Sequence, residues 1–189
     1  YASHGWNALH DCEGPIKQAI GLYPACGALF SDSFGVLVHS EFARETLSLY
    51  FADDVLSNVQ VTALSRGIRE LPDKQSARAN LDICTQDRVY ASFGLTNSKK
   101  CVDELLQAWA TSDLAKDPAV KLYLVGGFSD PEIEERIREG IAALPLPAQV
   151  VTTGFVDMAT YDGYLSATDI AVQLRRNSCG ESSAALLDC

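Results

Sequence analysis

The 189 residues carry 47% hydrophobic and 21% charged side chains, enough apolar material for a substantial core and far from the composition of a disordered tail. A formal net charge of −10 argues against a non-specific nucleic-acid or anionic-membrane binder, because both need a clustered basic face. The longest apolar runs, such as 34–38 and Val120–Val125, are far short of the ~20 residues a membrane span needs, and no basic-then-apolar leader opens the chain.

The start at Tyr1 rather than Met points to a true N-terminus further upstream. The six cysteines (Cys12, Cys26, Cys84, Cys101, Cys179, Cys189) form no CxxC pair, and no histidine stands at zinc-ligand spacing. They read as reduced thiols of a cytoplasmic protein with no metal site.

In chain order, residues 34–38 read as a buried strand and 40–50 as a helix with Phe42, Leu47 and Tyr50 turned inward. Residues 67–79 mix Gly, Pro and polar side chains without periodicity, as a linker would, which puts a domain boundary near Ile68. From Arg88 onward short apolar runs alternate with helical periodicity, the signature of βα units and a parallel sheet. The expected strands are Arg88–Phe93, Val120–Val125, 149–153 and 169–174. Between the first two, Val102, Leu105, Leu106 and Trp109 share one helix face. The next helix opens with Asp130 as N-cap and Pro131 at its first position and buries Ile133, Ile137 and Ile141. A third starts at Asp157 and presents Met158, Tyr161 and Leu165, and a fourth begins near Ser182.

Ligands of open parallel sheets bind beyond the carboxyl ends of the strands. Three of the four strands end at glycine: Gly94, then Gly126 with Gly127, then Gly154. Ordinary turn chemistry accounts for any one of them; together they allow backbone to approach a ligand closely. Lys99 and Lys100 follow Ser98, read as an N-cap, so two cations stand in a helical first turn where the dipole disfavours them unless an anion joins. The fourth strand runs into Arg175, Arg176, Asn177, Ser178, Cys179, Gly180, Glu181, Ser182 and Ser183, a second small-residue helix start beside two guanidiniums. Two anion sites on one edge suit a diphosphate, and solvated lysines with a plainly capped helix are the bland alternative. No GxGxxG, GxxxxGK[ST] or GxSxG motif follows a strand, which removes the main support for a dinucleotide dehydrogenase, a P-loop NTPase or a serine hydrolase.

Taken in order, these segments resemble the GT-B glycosyltransferases of family 4. GVLVHSEFARETL (35–47) is similar to the last strand and helix of that family's N-terminal domain, and VTALSRGI (61–68) to its linker. FGLTNSKKCVDELLQAW (93–109) resembles the "vGRl...KGvd.ll.A" segment, with Lys100 at the phosphate-binding lysine. VKLYLVGG, VVTTGFVD and YLSATDIAVQL follow in the family's order. SCGESSAALLDC (178–189) looks like a variant of the Glu-x7-Glu motif, with Gly180 where the first Glu is usual, Glu181 one residue off, and Asp188 at the ribose-binding acid. The family's arginine after the first glycine is Leu95 here, which leaves Arg175 as the candidate substitute. His10, followed by Asp11 and thirty residues before Ser40, stands at the distance of the family's histidine near the donor sugar.

The resemblance implies a Rossmann-like donor domain over 69–189, incomplete at its C-terminal end, preceded by a remnant of the acceptor-side domain and linker over 1–68. It implies transfer of a glycosyl group from a UDP- or GDP-linked sugar to an unknown acceptor, with retention of configuration, in polysaccharide biosynthesis. No cofactor or metal is expected; 1–189 alone would be inactive, and peripheral membrane contact would fall to a fuller N-terminal domain. By the same resemblance His10, Lys100, Arg175 and Glu181 are the catalytic candidates. Gly94, Lys99, Gly126, Gly154, Phe155, Val156, Ser178, Gly180, Ser182, Ser183 and Asp188 are the donor-binding ones. A GT-B sugar-nucleotide epimerase and a non-enzymatic flavodoxin-like or receiver module are the alternatives; the latter would cluster acidic residues at the strand ends, where lysine and arginine stand instead.

Overall fold

The computed structural model describes Phe30 and residues 32–176 and 181–189. They fall into two units: the residues up to Leu64 with Glu181 and Ser182, and residues 65–176 with Ser183–Cys189.

In the first unit β1 (Val36–Val38) lies parallel to β2 (Val59–Val61), with α1 (Glu41–Ser48) and α2 (Asp53–Leu56) between them in sequence. The Ser40 hydroxyl caps α1 by accepting from the Ala43 N–H at 3.0 Å. Two expectations are corrected here. The strand starts at Val36, and Phe34 is fully exposed. Phe42 and Tyr50 point outward, at 60% and 69% exposure. The stripe α1 half-buries is Ala43, Thr46 and Leu47, and the helix stops at Ser48, before Tyr50 could continue it.

The second unit is a three-layer α/β structure. Its elements are α3 (Lys74–Asn80), β3 (Arg88–Phe93), α4 (Val102–Thr111), β4 (Val120–Val125), α5 (Pro131–Ala142), β5 (Val150–Gly154), α6 (Met158–Ala167), β6 (Ile170–Ala171) and α7 (Ala184–Asp188). All four strands are parallel, in the order β5-β4-β3-β6. The period-two pleat of β4 sends Leu122 and Leu124 to one face, where they meet Leu105, Leu106 and Trp109 of α4 and Ile133 and Ile137 of α5. Tyr123 and Val125 go to the other face, with Val89, Ala91 and Phe93 of β3, Ala77 of α3 and Ala167 of α6. Both faces are thus covered, which is why these strands read as continuous apolar runs. Phe93, Leu122 and Leu124 are almost fully excluded from water, worth about 1.5–3 kcal/mol each in burial.

Three element boundaries differ from the sequence reading. Residues 74–79, expected as linker, fold with Asn80 into α3, started by the Asp73 carboxylate accepting from Ser76 N–H at 3.0 Å. Strand β5 begins one residue later than expected, because Gln149 closes a 3-10 turn. Strand β6 keeps only two residues. Beyond them the Gln173 side-chain amide, turned to satisfy both groups, accepts from Phe93 N–H at 2.8 Å and donates to Phe93 C=O at 3.2 Å, substituting for main-chain pairing.

Candidate functional site at the carboxyl ends of the strands

β3 is the first strand of the sheet; β4 and β5 are laid down on one side of it and β6 on the other. The winding therefore reverses between β3 and β6, and the crevice beyond their carboxyl ends is the topological switch point at which such sheets bind ligands.

The turns at this edge are built on glycine by necessity. Gly94, Gly126 and Gly154 have φ of 99°, 140° and 66°. A Cβ on Gly126 would lie 2.4 Å from the Gly94 carbonyl oxygen. The loops after β3 and β4 are zipped together by Gly94 N–H to Val125 O (2.9 Å), Thr96 N–H to Gly127 O (2.8 Å) and Ser129 N–H to Thr96 O (2.9 Å). The Thr153 hydroxyl of β5 accepts from Gly126 N–H at 3.2 Å. The edge is a fixed main-chain surface.

Lys100 stands on this surface half-buried. It donates to the Phe93 carbonyl at 3.1 Å, and its Nζ is 3.5 Å from where a Gly94 Cβ would be. Burial lowers its pKa from the ordinary lysine value; the charge of Arg175 lowers it further, and Cys189 partly offsets this. The expected placement needs correcting. Lys99 and Lys100 lie in a 3-10 turn, Ser98–Lys100, capped by Asn97, whose side chain accepts from Lys99 N–H at 3.0 Å. Cys101 then takes the left-handed conformation (φ 52°), and α4 starts only at Val102. Ser98 is not the cap. Lys99 is exposed, but its carbonyl accepts from Arg176 N–H at 2.8 Å, and the Arg176 guanidinium pairs with Glu104 of α4. The segments after β3 and β6 meet across the switch point.

Phe155 is 93% exposed immediately after β5, while Val156 is partly buried against the cluster that includes Phe93. Ser183 caps α7 by accepting from Leu186 N–H at 3.3 Å. Ser182 groups with the first unit and donates to the His39 carbonyl at 3.3 Å, and Glu181 is exposed. His10, Ser178 and Gly180 lie outside the described residues.

Asp188 has partners that the sequence reading missed. Its carboxylate receives Arg66 Nε (2.9 Å) and Nη2 (2.9 Å), Arg69 Nη2 (3.0 Å) and the Tyr161 hydroxyl (3.2 Å). Burial alone would raise this carboxyl, but the Arg66 hydrogen bonds and the charges of Arg69 and Arg66 outweigh it and hold it below the ordinary aspartate value. Burial and the neighbouring carboxylate push the Tyr161 phenol well up.

The amino ends of the strands carry a second ionic cluster. Arg78 of α3, 5% exposed, donates to Asp169 (2.7 Å) and to the carbonyls of Ala167 (3.1 Å) and Thr85 (3.0 Å). Asp169 also accepts from Val89 N–H at 2.7 Å and pairs with Lys74. Among the described residues no cluster of metal-ligating side chains is present, and no helix is long and apolar enough to cross a membrane.

A parallel sheet with helices on both faces, a glycine edge and a lysine at its switch point define the second unit as a doubly wound α/β domain. The family model "Glycosyl transferases group 1" matches residues 56–184, and the chain belongs to that family. No curated protein matches the sequence. Among solved structures it is similar to Anabaena HepE in complex with UDP and glucose (17% identity, TM-score 0.66, 85% of this chain and 42% of that one). It is also similar to WaaG, a glycosyltransferase involved in lipopolysaccharide biosynthesis (14%, 0.62, 99% and 51%), and to sucrose-phosphate synthase from Thermosynechococcus elongatus (20%, 0.61, 92% and 43%). The chain spans about half or less of each of these proteins.

Proposed function

We propose that residues 69–189 bind the nucleoside diphosphate of a UDP- or GDP-linked sugar, and that the whole enzyme transfers the sugar to an acceptor with retention of configuration. The observation that carries this reading is Lys100. It is a half-buried cation whose only hydrogen-bond acceptor among the described residues is a main-chain carbonyl, at the switch point where the fold binds ligands. A cation lowered in pKa by burial and by a neighbouring arginine is stabilised by an incoming anion, and a diphosphate supplies one.

In the reaction the diphosphate leaves with growing negative charge. Lys100 and Arg175 stabilise that charge electrostatically. Phe155 and Val156 flank the nucleoside, Gly94, Gly126 and Gly154 let it approach the main chain, and Asp188 takes the ribose hydroxyls. By the family resemblance Ser178, Gly180, Glu181, Ser182, Ser183 and Lys99 are the candidates for contact with the sugar and phosphate. By the same resemblance His10 is the candidate for contact with the sugar. The family membership and the UDP complex of a structural relative support this assignment of roles, as does the order of the motifs. Residues 1–68 are assigned to the acceptor side by the same resemblance.

Calorimetric titration with UDP and with GDP tests this. At least one of them binds, and Lys100→Ala weakens it by about tenfold or more, as expected for loss of a charge-assisted contact. Lys116→Ala, which removes an exposed lysine paired with Asp113, leaves affinity unchanged. Equal affinity of the two variants contradicts the phosphate role.

A further inference from the structure

Every acceptor position of the Asp188 carboxylate is already taken. A carboxylate offers about four hydrogen-bond positions on its two oxygens. Oδ1 is filled by Arg66 Nε and Arg69 Nη2, and Oδ2 by Arg66 Nη2 and the Tyr161 hydroxyl. With a side-chain exposure of 5%, Asp188 has no open side from which a ribose diol could add to this set.

The two arginines are not equivalent. Arg69 is anchored independently of Asp188: its Nη1 lies 3.1 Å from Asp162 Oδ1 and 3.0 Å from Met158 Sδ, and its guanidinium sits 5.7 Å from the Tyr161 ring centroid. Its side chain is 25% exposed, that of Arg66 39%. Among the described residues Arg66 makes no other ion pair or side-chain hydrogen bond. Removing Arg66 returns one accessible guanidinium to water, whereas removing Arg69 breaks three further contacts.

Resting on the reading that Asp188 binds the ribose, we propose that Arg66 is a latch occupying the ribose position. Arg69 and Tyr161 form the fixed cradle that orients Asp188 toward the nucleotide. A vicinal diol displaces the two parallel N–H groups of Arg66 from the carboxylate and takes the positions they held. Arg69 and Tyr161 stay in place. Arg66 therefore weakens nucleotide binding, and Arg69 acts as a positioning residue that strengthens it.

The two roles predict opposite signs, which a merely structural contribution does not. UDP and GDP, and their 2′,3′-dideoxy analogues, are titrated calorimetrically into the full chain and its variants. Arg66→Ala and the longer Arg66→Gln bind the diol nucleotide about three- to tenfold more tightly, the scale of one exposed charge-assisted pair. Neither variant changes affinity for the dideoxy analogue. Arg69→Ala weakens diol binding, and thermal unfolding of each variant identifies any that fails to fold. If Asp188→Asn weakens diol binding but Arg66→Ala and Arg66→Gln do not strengthen it, the latch is wrong and the ribose reading stands. If Asp188→Asn leaves diol binding unchanged, the ribose reading falls, and the latch with it.

Discussion

The two ends of the four-stranded sheet solve the same electrostatic problem in different ways. At the amino end a nearly buried arginine, Arg78, is neutralised by Asp169 and donates from two further nitrogens to carbonyls. That set ties α3, α6 and the start of β6 together. At the carboxyl end a half-buried lysine, Lys100, finds one carbonyl, and the strongest charge acting on it is another cation, Arg175. The first arrangement stabilises the fold; the second costs stability until an anion arrives. On the proposed function the two ends are a structural end and a ligand end, told apart by whether the cation has its carboxylate.

The largest effect is expected at the structural end. Arg78→Ala removes one of three partners of Asp169 and the donor to two carbonyls, and destabilises the second unit by roughly 1–3 kcal/mol in denaturant unfolding, with nucleotide affinity unchanged in the molecules that remain folded. Gly126→Ala should hurt the ligand end instead. Its Cβ meets the Gly94 oxygen at 2.4 Å at a φ of 140°, so the glycine edge must move, costing more than about 1 kcal/mol and weakening nucleotide binding together. A loss of stability without a loss of binding would show that the edge is not the ligand surface.

Smaller effects come from pH. Burial opposes ionisation of Asp169, but the Lys74 hydrogen bond, the Val89 N–H and the Arg78 charge outweigh it and hold its pKa below the ordinary value. A carboxyl depressed in this way stabilises the fold above its unfolded value, and that contribution is lost as pH falls through the folded one. Asp188 behaves likewise. Acid unfolding of Asp169→Asn should therefore show a shallower pH dependence than the parent; an unchanged slope would remove Asp169 from the account. Lys100 has the opposite sign of consequence. Its folded pKa is lowered, so the folded chain releases that proton before the unfolded one does, and an anion reverses the shift. Nucleotide binding at alkaline pH should accordingly take up protons, seen as a dependence of the calorimetric heat on buffer ionisation enthalpy, and Lys100→Met should abolish that dependence.

The contrast between the two ends was only half legible in the sequence. The strands Arg88–Phe93 and Val120–Val125 stood out because apolar residues fill both faces and a glycine closes each run. Helix α3 did not, because its buried face is Ala77 and the charged Arg78, whose partner Asp169 lies 91 residues away. Asn97 and Ser98 are both capping residues, and only the left-handed Cys101 decides that the lysines precede the helix rather than open it. Asp188 was found through the motif, but its arginines lie in the segment that read as linker, 122 residues from it in the case of Arg66. Tyr50 misled because helix α1 ends at Ser48, and Phe42 because it stands outside the half-buried stripe of Ala43, Thr46 and Leu47.

The most direct test of the central claim measures one substitution twice. Thermal unfolding of the parent and of Lys100→Met is followed with and without the nucleoside diphosphate. If Lys100 is a cation held for an anion, methionine fills the same half-buried space without charge, so the variant melts at or above the parent in the absence of nucleotide and loses the nucleotide-induced rise. A Lys100→Met protein that melts lower than the parent and still gains the full rise on adding nucleotide would mean that Lys100 is a structural residue and that the diphosphate binds elsewhere.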